Sequence, residues 1–233
     1  MAAGRYPEDL FIDHEVAIIG YTTPKQPSRV EYTTPAVELT PSLLDSLQVS
    51  TKGDLYLDGV RVVGAGIGNS GRLHLFRSVV THPKQTCVKA SSAGLVRIEN
   101  SLLINANTGV HVSSGELVVE GTTITTMDQY GLFGLDADLR VRATTVTRCN
   151  DTGIVAQGSK LEADGLVVSR TRVGIDLTAI VLGSNARRSN GTLLNILAHH
   201  NTHRGINLSY SDAIIAYATL YANGSPGVGT GGT

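Results

Sequence analysis

GVHVSSGELVVEGTTITTMDQY (residues 109–130) is followed without a break by GLFGLDADLRVRATTVTRCNDT (131–152) and GIVAQGSKLEADGLVVSRTRV (153–173). Each line opens on glycine and spans 21 or 22 residues. Within each, apolar residues alternate with a period of two, which is strand spacing. Leu117 and Val119, Leu139 and Val141, and Leu161 and Ala163 hold matching places. Five residues after the second of each pair comes another apolar one, Ile124, Val146 and Val168.

The pattern extends in both directions. Forward, the line from Gly174 carries an insertion, and the line from Gly205 repeats the motif with Ala213, Ile215 and Leu220. Backward, Leu55, Leu57 and Val62 match Leu73, Leu75 and Val80, and then Val96, Ile98 and Leu103. One such winding cannot bury its own apolar side. Stacked at the inter-strand spacing of about 4.8 Å, successive windings place each inward residue on the next and build one continuous core. The expected fold is therefore all-β: a single-stranded right-handed parallel β-helix, a solenoid of roughly 8–10 coils. Residues 47–233 supply the coils, and 1–46, with its TTPKQP and TTPAVELTP stretches, an N-terminal coil and capping segment of the same domain. The line-opening glycines (Gly109, Gly131, Gly153, Gly174, Gly205) suit a turn with positive φ. Asn and Asp just before them, as in INANTG, CNDTG and HNTHRG, suit a side-chain ladder across coils.

Composition agrees. Trp is absent, Phe and Met are scarce and Gly is abundant among β-branched residues, as many short strands and tight turns require. A net charge of −1 exerts no pull toward nucleic acid or an anionic membrane, and no apolar run is long enough for a spanning helix. Cys87 and Cys149 fall about three repeats apart, beyond disulfide reach, and read as two separate thiols. No cofactor is expected.

GRYPEDLFIDHEVAIIG resembles the opening of pectin-lyase-like β-helix proteins, through Gly4, Tyr6, Glu8, Leu10, Ile12, Val16, Ile18 and Gly20. That resemblance implies the fold and coil phase, together with an exported or cell-envelope location; no signal-peptide core is present at the start. The superfamily holds pectate lyases, polygalacturonases, uronan epimerases, tailspikes and adhesins. Their catalytic signatures are missing: no Arg-x-Pro-x-x-Arg, no Gly-His-Gly with Arg-Ile-Lys, and only IDHE (12–15) where epimerases carry Asp-Pro-His-Glu.

The candidate sites follow from the repeat. Outward positions flanking the inward pair form two columns, Tyr56, His74, Arg97, Val118, Arg140, Glu162 and Asp58, Phe76, Glu99, Glu120, Arg142, Asp164. As a catalytic groove these would offer Arg140 and Arg142 to neutralise a uronate and Asp164 as a base; as structure, their alternating signs would pair across the sheet. Residues 140–204 also carry nine Lys and Arg against four Asp and Glu, an excess of five positive charges. Arg148, Arg170 and His200 share one repeat position, with Arg172, His203 and Arg204 beside them. Arg187 and Arg188 lie in VLGSNARRSN, an insertion of about nine residues read as adjoining that basic column. These eight residues form the candidate binding surface for an acidic polysaccharide or a protein partner, because Arg forks match carboxylate and sulfate. His199, His200 and His203 fall in a turn rather than on one face of a helix, so no metal site is expected. Paired threonines such as Thr122–Thr123 and Thr144–Thr145 read as β-propensity, since Leu166–Val167 breaks any Thr ladder. A further line begins at Gly227 and is not finished, from which either continuation into a longer polypeptide or an end-to-end or homo-oligomeric contact at the last coil is expected.

Overall fold

The computed structural model describes residues 4–6, 10–20, 37–40, 47–50, 52–82, 84–91, 94–182, 185–225 and 228–231. Glu8, the TTPKQP stretch and Gly227 lie outside them. The described residues contain strands and turns and no helix.

Each winding has three faces. Face I is a nine-stranded parallel sheet running from Glu15–Ile19 through Asp54–Asp58, Arg72–Phe76, Leu95–Glu99, Glu116–Glu120, Asp138–Arg142, Lys160–Asp164 and Asn190–Leu194 to Asp212–Ala216. Faces II and III share an 18-stranded parallel sheet. Face II includes Thr145–Cys149, Val167–Ser169 and Leu197–His199, and face III includes Thr152–Gln157, Val173–Thr178 and Ile206–Ser209. Leu102–Ser113 and Thr123–Leu135 pass from face II into face III as single strands. Strands drawn from the first 46 residues join both sheets, since Gly4–Tyr6 pairs with Val37–Leu39 and Glu15–Ile19 with Asp54–Asp58.

The inward columns are those of the repeat. Leu55, Leu73, Val96, Leu117, Leu139 and Leu161 stand in register, as do Val62, Val80, Leu103, Ile124, Val146 and Val168. All twelve are buried in one core cluster. Each fully buried aliphatic contributes about 1.5–3 kcal/mol relative to exposure, so stacking many of them offsets the entropy of ordering the coils.

Each corner is closed by left-handed residues: Asn100 and Gly121 at I–II, Thr126, Arg148, Arg170 and His200 at II–III, Ser114, Asp136 and Gly158 at III–I. Here the reading of the line-opening glycines is corrected. None of the five has positive φ. They are glycine because adjacent backbones approach too closely for a side chain. A Cβ on Gly109, Gly131 or Gly153 would stand 2.5, 2.5 or 2.6 Å from the carbonyl oxygen of the next coil's glycine.

Polar ladders fasten the corners. At I–II the buried hydroxyls of Ser78, Ser101 and Thr122 each accept a backbone N–H from the preceding coil, Val60, Ser78 and Ser101, at 3.1, 3.1 and 3.3 Å. At II–III, Asn201 Oδ1 accepts from Thr171 N and Thr171 Oγ1, while Asn201 N and Nδ2 both donate to Asn223 Oδ1. Of the three motifs expected to build a ladder, HNTHRG does so through Asn201, whose place in the column is held by Cys149 in CNDTG. Cys87 and Cys149 are free and buried, and burial pushes both thiols up to about 12, which leaves them unreactive.

Candidate functional site

Arg148, Arg170 and His200 stand on three successive coils at the II–III corner, with φ of 57°, 55° and 55°. A left-handed turn throws its side chain outward from the corner, and all three are exposed. For a residue with a Cβ this conformation costs about 1 kcal/mol. Neither Arg148 nor Arg170 has a carboxylate within ion-pair distance among the described residues. Two guanidinium groups therefore stand on adjacent coils, about 4.8 Å apart along the backbone, with no carboxylate paired to either among the described residues. His199 lies beside the column. Its Nδ1 is 2.7 Å from His200 Nδ1, and its ring stacks on Tyr221 with centroids 5.1 Å apart. Burial, then His200 and Arg170, lower its pKa below the ordinary histidine range. His203 contacts Thr202 at the same corner.

Two other candidate cations are held in place. Arg172 donates through Nε to Asp151 Oδ1 at 2.7 Å, with its terminal nitrogen 2.6 Å from the same oxygen. Arg204 donates to Asn207, whose amide donates to Asp176 at 2.8 Å. These residues lead onto the outer side of face III. There His111, Phe133, Val155, Asp176 and Asn207 form one register column. Tyr130 joins it, its ring 5.3 Å from Phe133, and burial first, then the nearby Asp151, raise its phenol above the ordinary range. Burial raises the Asp176 carboxyl above its ordinary range, against the pull of Asn207 and the two arginines.

The insertion forms an antiparallel hairpin, Ile180–Leu182 with Asn185–Arg187, at the III–I corner. The whole of Val173–Thr178 separates it from the II–III corner, about 20 Å at strand spacing. The structure thus divides the eight candidate binding residues. Arg148, Arg170, Arg172, His200, His203 and Arg204 gather at one corner, while Arg187 and Arg188 lie at another, and the expected adjacency of insertion and basic column is corrected. Arg187 pairs with Asp136, and Arg188 with Asp212 at 3.6 Å. Beneath the hairpin is an open polar cleft of about 380 Å³, lined by Glu116, Asp136, Asp138, Lys160, Arg187 and Asn190 among others.

Of the face I candidates, Arg140 is neutralised by ion pairs. Arg140 sits between Glu116 at 3.0 Å and Glu162 at 3.7 Å, and Lys160 adds a 2.6 Å contact to Glu162. The Lys160 hydrogen bond first, then nearby charge, holds the Glu162 carboxyl low. Asp164 accepts from Asn195 at 2.7 Å. Arg142 follows Glu120 and precedes Asp164 in register but makes no ion pair among the described residues. Sequence reasoning missed the face III column, although its members occupy the third place of every glycine line.

A family description, the right-handed β-helix region, matches residues 63–232, and the chain belongs to that family. No curated protein matches it. Among solved structures it is similar to the Dettilon tailspike protein, with a TM-score of 0.49 and 12% identity over 94% of this chain and 51% of the tailspike. It therefore spans about half of that protein. It is also similar to pectate lyase Pel9A, with a TM-score of 0.35 and 10% identity over 91% of this chain and 69% of the lyase. For the periplasmic alginate epimerase AlgG the values are 0.30, 10%, 83% and 76%. These likenesses concern the course of the backbone and carry no chemistry across. No helix of the described residues is long and apolar enough to cross a membrane.

Proposed function

We propose that the chain is a glycan-binding β-helix module of an exported or surface protein, which holds an acidic polysaccharide along the II–III corner. The observation that carries this reading is the column Arg148–Arg170–His200, in which neither arginine has a counter-ion among the described residues. A linear polyanion supplies the missing charges at a spacing set by the coils, and guanidinium forks grip carboxylate or sulfate in two-point hydrogen bonds. The shape is complementary too, because a solenoid corner is a straight ridge and a polysaccharide is a chain.

Retention on immobilised heparin, alginate, pectate and chondroitin sulfate tests it. The wild-type chain is expected to bind at least one of them in a salt-sensitive manner. Replacing Arg148 and Arg170 together by Ala should weaken that binding at least tenfold, the equivalent of about 1.4 kcal/mol. Retention unchanged by the double substitution, or absent for every polyanion, overturns the reading. A second reading, catalysis on such a chain as a lyase, hydrolase or epimerase, draws on Asp176, a carboxyl kept protonated to higher pH than usual beside the Asp151–Arg172 pair. Unsaturated products or new reducing ends in the same incubations would establish it.

A further inference from the structure

Among the described residues, the two outward columns of face I carry ring side chains at one place only. Tyr56 and His74 stand on successive coils of one column, with ring centroids 6.3 Å apart, and Phe76 stands beside His74 in the other. Between the columns is a notch of about 100 Å³, lined by Tyr56, His74, Phe76, Arg97 and Glu99. Its floor is the main chain of Leu75, whose side chain points into the core. His74 and Phe76 lie two residues apart on one strand, about 6.6 Å, and form its sides. Arg97 and Glu99 hold the same two places on the next coil and close that end with an ion pair. The Phe76 wall is braced. The Arg77 guanidinium lies over its ring, 4.7 Å from the centroid, and is itself fixed by donating to Asp58 at 2.9 and 2.5 Å.

From this notch we infer a binding site for the acetamido group of a 2-acetamido sugar. The volume is the liquid share of about three waters, which suits an amide with its methyl and is too small for a whole pyranose ring. The lining matches that group. Tyr56, His74 and Phe76 offer ring surface to the methyl, Glu99 accepts from the amide N–H, and Arg97 donates to the carbonyl oxygen. Arg97 and Glu99 neutralise each other, so the notch favours a neutral polar group over an ammonium or a carboxylate. It is one side chain deep and opens outward, so the body that carries the acetamido group lies across its mouth. A pyranose bears the group directly on its ring and fits that arrangement. An acetylated lysine holds it at the end of a four-carbon stem, which calls for a channel instead. The notch is on face I, away from the II–III corner, and draws on none of the corner's arginines. The inference therefore goes beyond the polyanion reading and stands apart from it.

Saturation-transfer NMR on the full chain tests it with N-acetylglucosamine, N-acetylgalactosamine and N-acetylmannosamine, against the free-amine form of each and against Nε-acetyl-lysine. Transfer to the acetyl methyl protons of at least one sugar is expected, with ring-proton transfer at least fivefold weaker for its free-amine form. The acetyl signal should fall at least fivefold in Glu99→Ala and in His74→Trp, whose larger ring fills the notch without removing a wall. Both substitutions fall on the outer side of face I and leave the core columns untouched. The signal should stay within twofold in the Arg148→Ala/Arg170→Ala double variant. No acetyl transfer from any of the sugars, or transfer indifferent to Glu99 and His74, overturns the site even where polyanions are retained at the corner. Transfer to Nε-acetyl-lysine as strong as to the sugars overturns the assignment to a saccharide. Loss of polyanion retention with acetyl transfer intact overturns the corner reading and leaves the notch.

Discussion

Face I and the II–III corner both display charged residues once per coil, yet they use charge in opposite ways. On face I the signs alternate, and Glu116, Arg140 and Glu162 close into a chain of ion pairs with Lys160 at its edge. At the corner Arg148 and Arg170 repeat the same sign, with His200 next in the column, and neither arginine has an ion-pair partner among the described residues. Even a corner arginine need not stand alone. Arg77, left-handed at the I–II corner, donates to Asp58 at 2.9 and 2.5 Å. A solenoid places every residue beside its own counterpart on the next coil, so charge is neutralised only where the repeat is varied on purpose. Variation on face I gives cross-strand stabilisation around Arg140; repetition at the corner leaves Arg148 and Arg170 without a counter-charge among the described residues.

The largest effect should come from the backbone packing that brings the corner's coils together. Gly153→Ala puts a methyl 2.6 Å from the Gly174 carbonyl oxygen, where the obstacle is backbone and cannot turn aside. It is expected to cost about 2–3 kcal/mol, lowering the melting temperature by roughly 4–10 °C in a thermal melt. A melt unchanged within 1 °C would show that the close approach is not what requires glycine.

Charge reversal separates the two regions by sign. Arg140→Glu sets a third carboxylate between Glu116 and Glu162 and should destabilise by about 1 kcal/mol without touching glycan retention. Arg170→Glu puts an acid between Arg148 and His200 and should raise stability by up to about 1 kcal/mol while abolishing retention. If both reversals move stability the same way, the contrast between paired face and unpaired ridge fails.

The smallest effect is one of pH. His199 and Glu162 both have folded pKa values below their unfolded ones, so each contributes stability that is complete above its unfolded value and lost as pH falls through its folded value. The corner loses its share first, below the ordinary histidine value of 6.5, and face I only below the ordinary glutamate value of 4.5. Both groups are largely exposed to solvent, so denaturant titrations should resolve shifts within about 0.5 kcal/mol. A bound polyanion reverses the corner's sign. It favours protonated His199, and affinity should tighten twofold to fivefold between pH 7.5 and 5.5, with His199→Gln removing that dependence.

Most of the core and both face I columns were legible in the sequence, because a strand's period of two and a coil length of 21 or 22 residues from Val96 to Leu161 leave one phase in which the paired aliphatics point inward. Leu117, Leu139 and Leu161 needed only counting. The corner column was legible for the same reason, Arg148 and Arg170 being one repeat apart. The face III column stands in the sequence as the third letter of each glycine line. It was passed over because His111, Phe133, Val155, Asp176 and Asn207 share no chemistry that a column reading rewards. The hydroxyl ladder of Ser78, Ser101 and Thr122 was hidden likewise, since small polar residues before a strand look like turn.

The amino-acid sequence by itself determined the winding, its length and the inward columns, since repetition is a one-dimensional property that stacking merely copies into space. Tertiary structure alone decided three things that depend on distance across coils or along a strand. These are which charges find a partner, why the line-opening residues are glycine, and on which corner the insertion projects. Each turns on approach to within a few ångströms between residues that lie a full coil or more apart in the chain, and spacing along the chain does not carry that information.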